Sequence, residues 1–274
     1  MNTDLLAEII ATKRSRLTAQ PVDLQLLRAQ AEKITAAKQK HRLRAALQAC
    51  DRINVIAEFK RRSPSAGAIR TDVDPVNIAR EYERGGAAAM SILTEEDYFG
   101  GSIVDLADAR RATRLPILCK DFIIDPAQVY RAATAGVDAV LLIAAALDDG
   151  SLGELRALAE QKLGLDALVE VHTAVELERA VAAGARLIGI NNRDLRTFKV
   201  AVETSEQLIA RAPEDATVIS ESGLRDAATL RRLHALGFDG FLIGEALMRA
   251  SQPATELRHF VNALEDRQIE LGTT

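Results

Sequence analysis

Eight short apolar runs, each followed by a polar or glycine-containing loop and then a longer segment of helical period, constrain this chain of 274 residues more than any other feature. The runs cover residues 53–59, 88–93, 116–120, 139–143, 167–171, 187–191, 217–221 and 240–244. They are nearly continuous in Ile, Val, Leu and Ala, as expected of parallel strands buried on both faces. Their starts lie roughly 20 to 35 residues apart, close to one strand–helix unit. Gly85-Gly86, Gly136, Gly184 and Gly237 stand between a helical segment and the next run, where a helix commonly ends in a left-handed residue. Eight such units with right-handed crossovers predict an α/β fold of the (βα)8 TIM-barrel type. The rival is a doubly wound open sheet. It normally has fewer strands and a glycine-rich first turn, and the chain contains neither GxGxxG nor GxxxxGK[ST].

The first fifty residues follow another pattern. Leu5-Leu6, Ile9-Ile10 and Leu17 recur at helical spacing, as do Leu24, Leu26-Leu27, Ala31 and Ile34, and then Leu43, Ala46-Leu47 and Cys50. These sets predict an N-terminal helical extension packed on the barrel rather than a flexible basic arm. No Pro-, Gly- or Ser-rich linker separates the two parts. The expectation is therefore one domain over 1–274, with the extension in 1–50 and the barrel in 51–274.

Composition removes several function classes. Aromatic residues make up 4% of the chain and Trp is absent, so the core must be built mainly from Leu, Ile, Val and Ala. A formal net charge of -4 argues against general binding to nucleic acid or a membrane surface. Cys50 and Cys119 do not make a disulfide framework, which points to a reducing, cytoplasmic setting. The four His are scattered, with no HExxH or CxxC, so no metal is expected. The N-terminal stretch carries Asp4, Glu8 and Lys13 and does not read as a signal peptide. The longest apolar run, near Ala139 to Leu147, is too short to span a bilayer.

Catalytic groups of a barrel sit at the C-terminal ends of its strands. Strand side chains at i and i+2 share a face. That spacing aligns Ile56, Glu58 and Lys60 on the first strand, and Leu118 with Lys120 on the third. It aligns Leu168 with Glu170 on the fifth, Leu187, Gly189 and Asn191 on the sixth, and Thr217, Ile219 and Glu221 on the seventh. A single Glu or Lys at a strand end is usually a solvated rim residue. Five strands ending in polar groups in register predict instead a cluster suited to acid–base work. The loops after strands seven and eight offer Ser222-Gly223 and Gly244-Glu245, and glycine there lets backbone N–H groups approach an anion. Ser63 and Lys60 can close this site from the first loop. The expected partner is a small phosphorylated molecule, with no nucleic acid and no membrane.

These motifs resemble the indole-3-glycerol phosphate synthase family. The resemblance rests on Ile56-Ala57-Glu58-Phe59-Lys60-Arg61-Arg62-Ser63-Pro64-Ser65. It runs on through Ser91-Ile92-Leu93-Thr94-Glu95, Tyr98-Phe99-Gly100-Gly101-Ser102 and Pro116-Ile117-Leu118-Cys119-Lys120-Asp121-Phe122. Leu168-Val169-Glu170-Val171-His172 and Ile188-Gly189-Ile190-Asn191-Asn192-Arg193-Asp194-Leu195 follow. Ser220-Glu221-Ser222-Gly223 and Leu242-Ile243-Gly244-Glu245-Ala246-Leu247-Met248 close it. Ala66 stands where many members have Lys, and Leu224 where Ile is common.

The resemblance implies ring closure, decarboxylation and dehydration of 1-(2-carboxyphenylamino)-1-deoxyribulose 5-phosphate. The products are indole-3-glycerol phosphate, CO2 and water, and the step belongs to tryptophan biosynthesis. It implies a carboxy-lyase without a cofactor. On this reading Lys120 is the acid at the sugar carbonyl and Glu170 the base in dehydration, with Lys60 as acid in dehydration the alternative. Glu58, Asn191 and Glu221 orient lysines and sugar hydroxyls. Ser63, Arg193, Ser222, Gly223, Gly244 and Glu245 hold phosphate, and Phe99, Phe122, Leu141 and Leu195 line the slot for the aromatic ring. His172 is read as rim. Other tryptophan-pathway enzymes are expected partners, and the expected assembly is a monomer or weak dimer. The rival functions are another phosphate-binding barrel enzyme, an isomerase or a Schiff-base aldolase, and a catalytically silent barrel scaffold.

Overall fold

A computed structural model describes residues 4–48, 51–195 and 199–264. Eight parallel strands form a closed barrel: β1 (Val55–Phe59), β2 (Ala89–Leu93), β3 (Ile117–Lys120), β4 (Ala139–Ile143), β5 (Asp166–Val171), β6 (Leu187–Asn191), β7 (Thr217–Glu221) and β8 (Gly240–Ile243). Each strand pairs with its neighbours in sequence, and β8 closes on β1 with Ile56 opposite Leu242. Closure rules out the open-sheet rival. The eight expected runs all become strands, with ends moved by one or two residues where a flanking residue leaves the ladder. A two-residue hairpin, Arg62–Ser63 against Gly67–Ala68, decorates the loop after β1.

Strand alternation divides the apolar residues into two cores. Ile56, Ala89, Leu118, Leu141, Leu168, Leu187, Ile219 and Leu242 point into the barrel. Val55, Ala57, Met90, Ile117, Val140, Val169, Ile188 and Phe241 point outward against the helices. Those helices include α4 (Pro75–Gly85), α5 (Ile103–Ala112), α6 (Pro126–Thr134), α7 (Asp149–Ala157), α8 (Ala174–Ala182), α9 (Glu203–Ile209), α10 (Ala227–Ala235), α11 (Glu245–Arg249) and α12 (Pro253–Val261). Gly86, Gly136, Gly184 and Gly237 all carry positive φ at the expected helix ends.

The extension forms α1 (Leu5–Ala19), α2 (Leu24–Ala36) and α3 (Arg42–Ala46), begun by Asp4 and Asp23 caps. Leu6, Ile9 and Ile10 of α1 join the inner core beside Phe122. The expected apolar face of α2 needs correction. Leu24, Leu26 and Ile34 are exposed, whereas Ala31 and Thr35 are buried and Leu27 is partly so. The helix rests on α6 through the i, i+4, i+8 stripe of Leu27, Ala31 and Thr35. Cys50, expected in the third apolar set, lies outside the described residues.

One buried carboxylate ties the extension to the barrel floor. Asp138, just before β4, accepts from Lys38 (2.9 Å) and Arg42 (2.9 Å) of the extension, from Arg110 of α5 (3.0 Å), and from the Ile117 backbone N–H (2.9 Å). Its side chain is 1% exposed, so these bonds act with little screening by water. Removing it takes the shared counter-charge from three cations and the acceptor from a backbone N–H, leaving the cations only neutral carbonyl partners. Asp138→Ala is expected to cost about 3 to 5 kcal/mol and to lower the melting temperature by roughly 6 to 20 °C in calorimetry.

Candidate active site

The parity set by barrel closure carries five polar strand ends to one mouth. Glu58, Glu170, Asn191 and Glu221 are buried there. Together with Lys60 and Lys120 they line a cavity of about 1030 Å³, open mouth included. Ser63, Arg193, Ser222, Gly223, Gly244 and Glu245 line the same cavity, as do Phe99, Phe122, Leu141 and Leu195. Every site residue expected from the sequence is thus brought into one space.

The charges form two linked pairs. The Lys120 ammonium lies 3.0 Å from Glu170 Oε2 and 3.3 Å from Glu221 Oε2. The Lys60 ammonium lies 2.8 Å from Glu58 Oε1. Burial alone would lower the Lys120 pKa, but Glu170, Glu221 and Glu58 outweigh it and hold the ammonium charged. Burial would raise Glu170, yet Lys120 and His172 pull it well below the usual carboxylate range. Glu221 goes the other way. Burial and the nearby Glu170 and Glu58 charges push it up to about 8 against the pull of Lys120. Near neutral pH Glu170 is therefore an anion and Lys120 a proton-bearing cation, while Glu221 binds its proton far more readily than Glu170 does.

Glycine makes room for this cluster. A Cβ on Gly189 would collide with Glu221 Oε1, and one on Gly244 with Glu58 Oε1. Both carboxylates stand where a side chain on the neighbouring strand would otherwise be.

At one end of the cavity the backbone turns sharply. Ser222 and Gly223 have φ 68° and 77° in succession, a left-handed pair that L residues avoid without support. The support is a buried amide. Asn192 Nδ2 donates to the Ser222 carbonyl (3.0 Å) and to Ser220 Oγ (3.1 Å), while Asn192 Oδ1 accepts from Ser205 N–H (3.0 Å). Asn191 Oδ1 accepts the Arg193 N–H (2.9 Å), and the Arg193 guanidinium donates to Ser65 Oγ (3.1 Å), joining the sixth loop to the first. At the other end the Phe99 and Phe122 rings lie 6.0 Å apart and tilted by 36°. Buried Glu95 shapes the Phe99 loop by accepting from the N–H groups of Asp97, Tyr98 and Phe99.

Sequence reasoning missed Ser65 and Arg225 in the lining and the part played by Asn192. The Ser63-Pro64-Ser65 run and the Asn191-Asn192 pair were the available signals. The reading of His172 as rim is corrected. Its side chain is only 10% exposed and sits between Glu170 and Glu176. Strand spacing gives the face of His172 but not the helix residue that covers it. Among the described residues, no group of three or more His, Cys, Asp or Glu is arranged to hold a metal ion.

Residues 6–260 match the model of the family described as indole-3-glycerol phosphate synthase. A protein of that name from Acidithiobacillus ferrooxidans is 48% identical over 259 residues, covering 94% of this chain and 98% of its own. One from Bacteroides thetaiotaomicron is 44% identical over 264 residues, covering 96% and 99%. Among solved structures, 3-hexulose-6-phosphate synthase from Salmonella typhimurium superposes with TM-score 0.62 at 14% identity, over 78% of this chain and 99% of its own. Thiamine phosphate pyrophosphorylase from Pyrococcus furiosus gives 0.60 at 17%, over 79% and 98%. At that identity the structural likeness speaks to the barrel fold alone.

The close approach at Gly189 has a measurable consequence. Gly189→Ala must displace the Glu221 carboxylate from Lys120. Turnover is expected to fall about 10²-fold, the scale of an ångström-sized misplacement, while the far-UV circular dichroism spectrum stays that of the parent.

Proposed function

The chain belongs to the indole-3-glycerol phosphate synthase family, and from that premise we propose how its own residues turn 1-(2-carboxyphenylamino)-1-deoxyribulose 5-phosphate into indole-3-glycerol phosphate, CO2 and water. The observation that carries the reading is the Lys120 ammonium, held by Glu170 and Glu221 in a cavity whose lining also includes Ser63, Arg193 and the Ser222-Gly223 turn as well as Phe99 and Phe122.

The substrate fits end to end. Its phosphate meets Ser63, Arg193 and the backbone of Ser222, Gly223, Gly244 and Glu245. Its ring enters between Phe99 and Phe122, with Leu141 and Leu195 completing the slot. This places the sugar C2 carbonyl near Lys120. The ring carbon bearing the carboxylate attacks C2, and Lys120 protonates the oxygen as charge develops on it. Lys60 balances the ring carboxylate until it departs as CO2, which restores aromaticity. The C2 hydroxyl then leaves as water, protonated by a lysine, while Glu170 takes the proton released. Glu58 holds Lys60, and Glu221 holds Lys120 together with Glu170. Holding both ends of one flexible molecule brings ring and carbonyl together without paying the entropy at the moment of reaction.

A Schiff-base aldolase needs a neutral lysine nucleophile. The carboxylates around Lys120 keep it protonated, which argues against that rival. We further propose a single domain, in keeping with a family match unbroken over 6–260, together with a cytoplasmic location and a monomer or weak dimer.

The direct test is to incubate the protein with the carboxyphenylamino substrate, without added metal, and follow indole fluorescence. Product should form, and its absence from folded protein would sink the reading. Lys120→Met and Glu170→Gln are each expected to lower kcat by about two orders of magnitude or more, the scale of lost acid–base catalysis. Wild-type rates in both would show the roles to be misassigned. Borohydride added with the substrate should leave the intact mass of the protein unchanged, since no imine forms; a covalent adduct would favour the aldolase.

A further inference from the structure

His172 lies two residues beyond Glu170 and is absent from the lining of the cavity. Its ring is wedged behind the active site. His172 Nε2 faces Glu170 Oε1 at 3.3 Å, while the other oxygen, Glu170 Oε2, takes the Lys120 ammonium at 3.0 Å. On the far side His172 Nδ1 lies 3.0 Å from Glu176 Oε2, and the same oxygen accepts the His172 backbone N–H at 2.8 Å.

Glu176 is itself anchored. Thr173-Ala174-Val175-Glu176 has the sequence of a capping box at the start of α8, and Thr173 Oγ1 accepts the Glu176 N–H (3.2 Å). The Glu176 carboxylate does not return to the cap residue's own N–H. It reaches one residue further back and grips His172 by backbone and ring together. A helix start and the end of β5 are thereby locked around one imidazole.

A carboxylate faces each ring nitrogen. A neutral imidazole has one N–H and one lone pair, so it can satisfy only one of them; the doubly protonated ring can donate to both. Burial would lower the His172 pKa, but Glu170 and Glu176 outweigh it and push it up to about 10. Glu170 thus faces a cation at each oxygen: Lys120 from β3 and His172 from the turn just after its own strand. Glu221 of β7 faces the same cluster, with Glu58 of β1 beyond it.

We propose that His172 is a positioning residue for Glu170: seated on Glu176, it holds the oxygen that Lys120 does not and so fixes the plane of the carboxylate that takes the proton in dehydration. The inference rests on reading Glu170 as that base. Lys120 alone would leave the carboxylate free to rotate about its single contact. With His172 behind it, each oxygen faces a cation, 3.0 Å and 3.3 Å away, and this favours one orientation of the carboxylate.

The test compares His172→Leu, His172→Gln and Glu176→Gln with Glu170→Gln, measuring kcat, KM and the pH dependence of kcat by indole fluorescence. His172→Leu is expected to lose about tenfold in kcat with KM within about twofold, because the ring meets Glu170 and not the substrate. His172→Gln, whose amide can donate to Glu170, should recover kcat to within about threefold. In both variants Glu170 has lost a neighbouring cation and binds its proton more readily, so the acid limb of kcat, which lies below the usual carboxylate range in the parent, should move up towards that range. Glu176→Gln should shift the limb the same way by less. Wild-type kcat with an unmoved acid limb in His172→Leu overturns the inference. So does a loss of kcat that leaves the limb in place, which would mark a merely structural role. If His172→Leu does not fold, His172→Gln and Glu176→Gln decide by the same limb. A wild-type rate in Glu170→Gln would overturn the base assignment itself, and that outcome is separate from the behaviour of the His172 variants.

Discussion

Closure of β8 onto β1 is the constraint on which the rest depends. In an open sheet, alternate side chains face two layers of helices. In a closed barrel, one of the two sets faces only itself. Once Ile56 pairs with Leu242, Glu58, Lys120, Glu170, Asn191 and Glu221 have no choice but to meet at the mouth. The apolar residues below them, Leu118, Leu168, Leu187 and Ile219, seal the interior and keep the charges in low dielectric above a dry floor. The site follows from parity and closure rather than from any local conformation.

Burying carboxylates and ammonium groups together is costly unless each is paired. The cluster meets this requirement by making its three carboxylates unequal. Glu170 lies between two cations and stays ionised. Glu221 shares one cation with it, and burial together with the neighbouring carboxylates pushes its pKa up. Glu58 turns to Lys60. A symmetrical arrangement would leave no group prepared to take a proton and none prepared to give one. Environment, not residue type, separates the roles of chemically identical side chains.

The barrel was legible in the sequence because eight nearly continuous apolar runs alternate with segments of helical period, and its polar strand ends because side chains two residues apart share a face. Phe99 and Phe122 were not readable from periodicity, since they sit on loops, and were placed through the family resemblance. What escaped reading shares one physical character. Leu24, Leu26 and Ile34 of α2 have good helical spacing, but which stripe turns inward depends on where α6 lies. His172 carries the right parity for the rim, and only the return of Glu176 from the start of α8 converts it into a buried wedge. Asn192 points away from the cavity yet shapes it, through Ser220 and the Ser222 carbonyl. Each is a contact between elements that local sequence does not rank.

The extension does more than cover the barrel. Lys13 of α1 meets Asp121 at 2.7 Å, next in sequence to Lys120, and Asp121 also accepts from Thr94 Oγ1 (2.7 Å) and the Phe122 N–H (2.7 Å). Arg16 bonds Asp97 at 2.5 Å, and Tyr98 donates to Glu8 at 3.0 Å, so α1 also grips the loop that carries Phe99. Both rings of the aromatic slot are therefore held from outside the barrel. The proposed substrate has two chemically unlike ends, a phosphate that wants backbone donors and a benzoate ring that wants apolar walls. Barrel loops six to eight build the first end; α1, bound to loops two and three, braces the second. On the proposed reading the reacting carbonyl lies near Lys120, between these two ends. Of the three helices before the first strand, α1 is thus the one tied to the aromatic end, while α2 rests on α6.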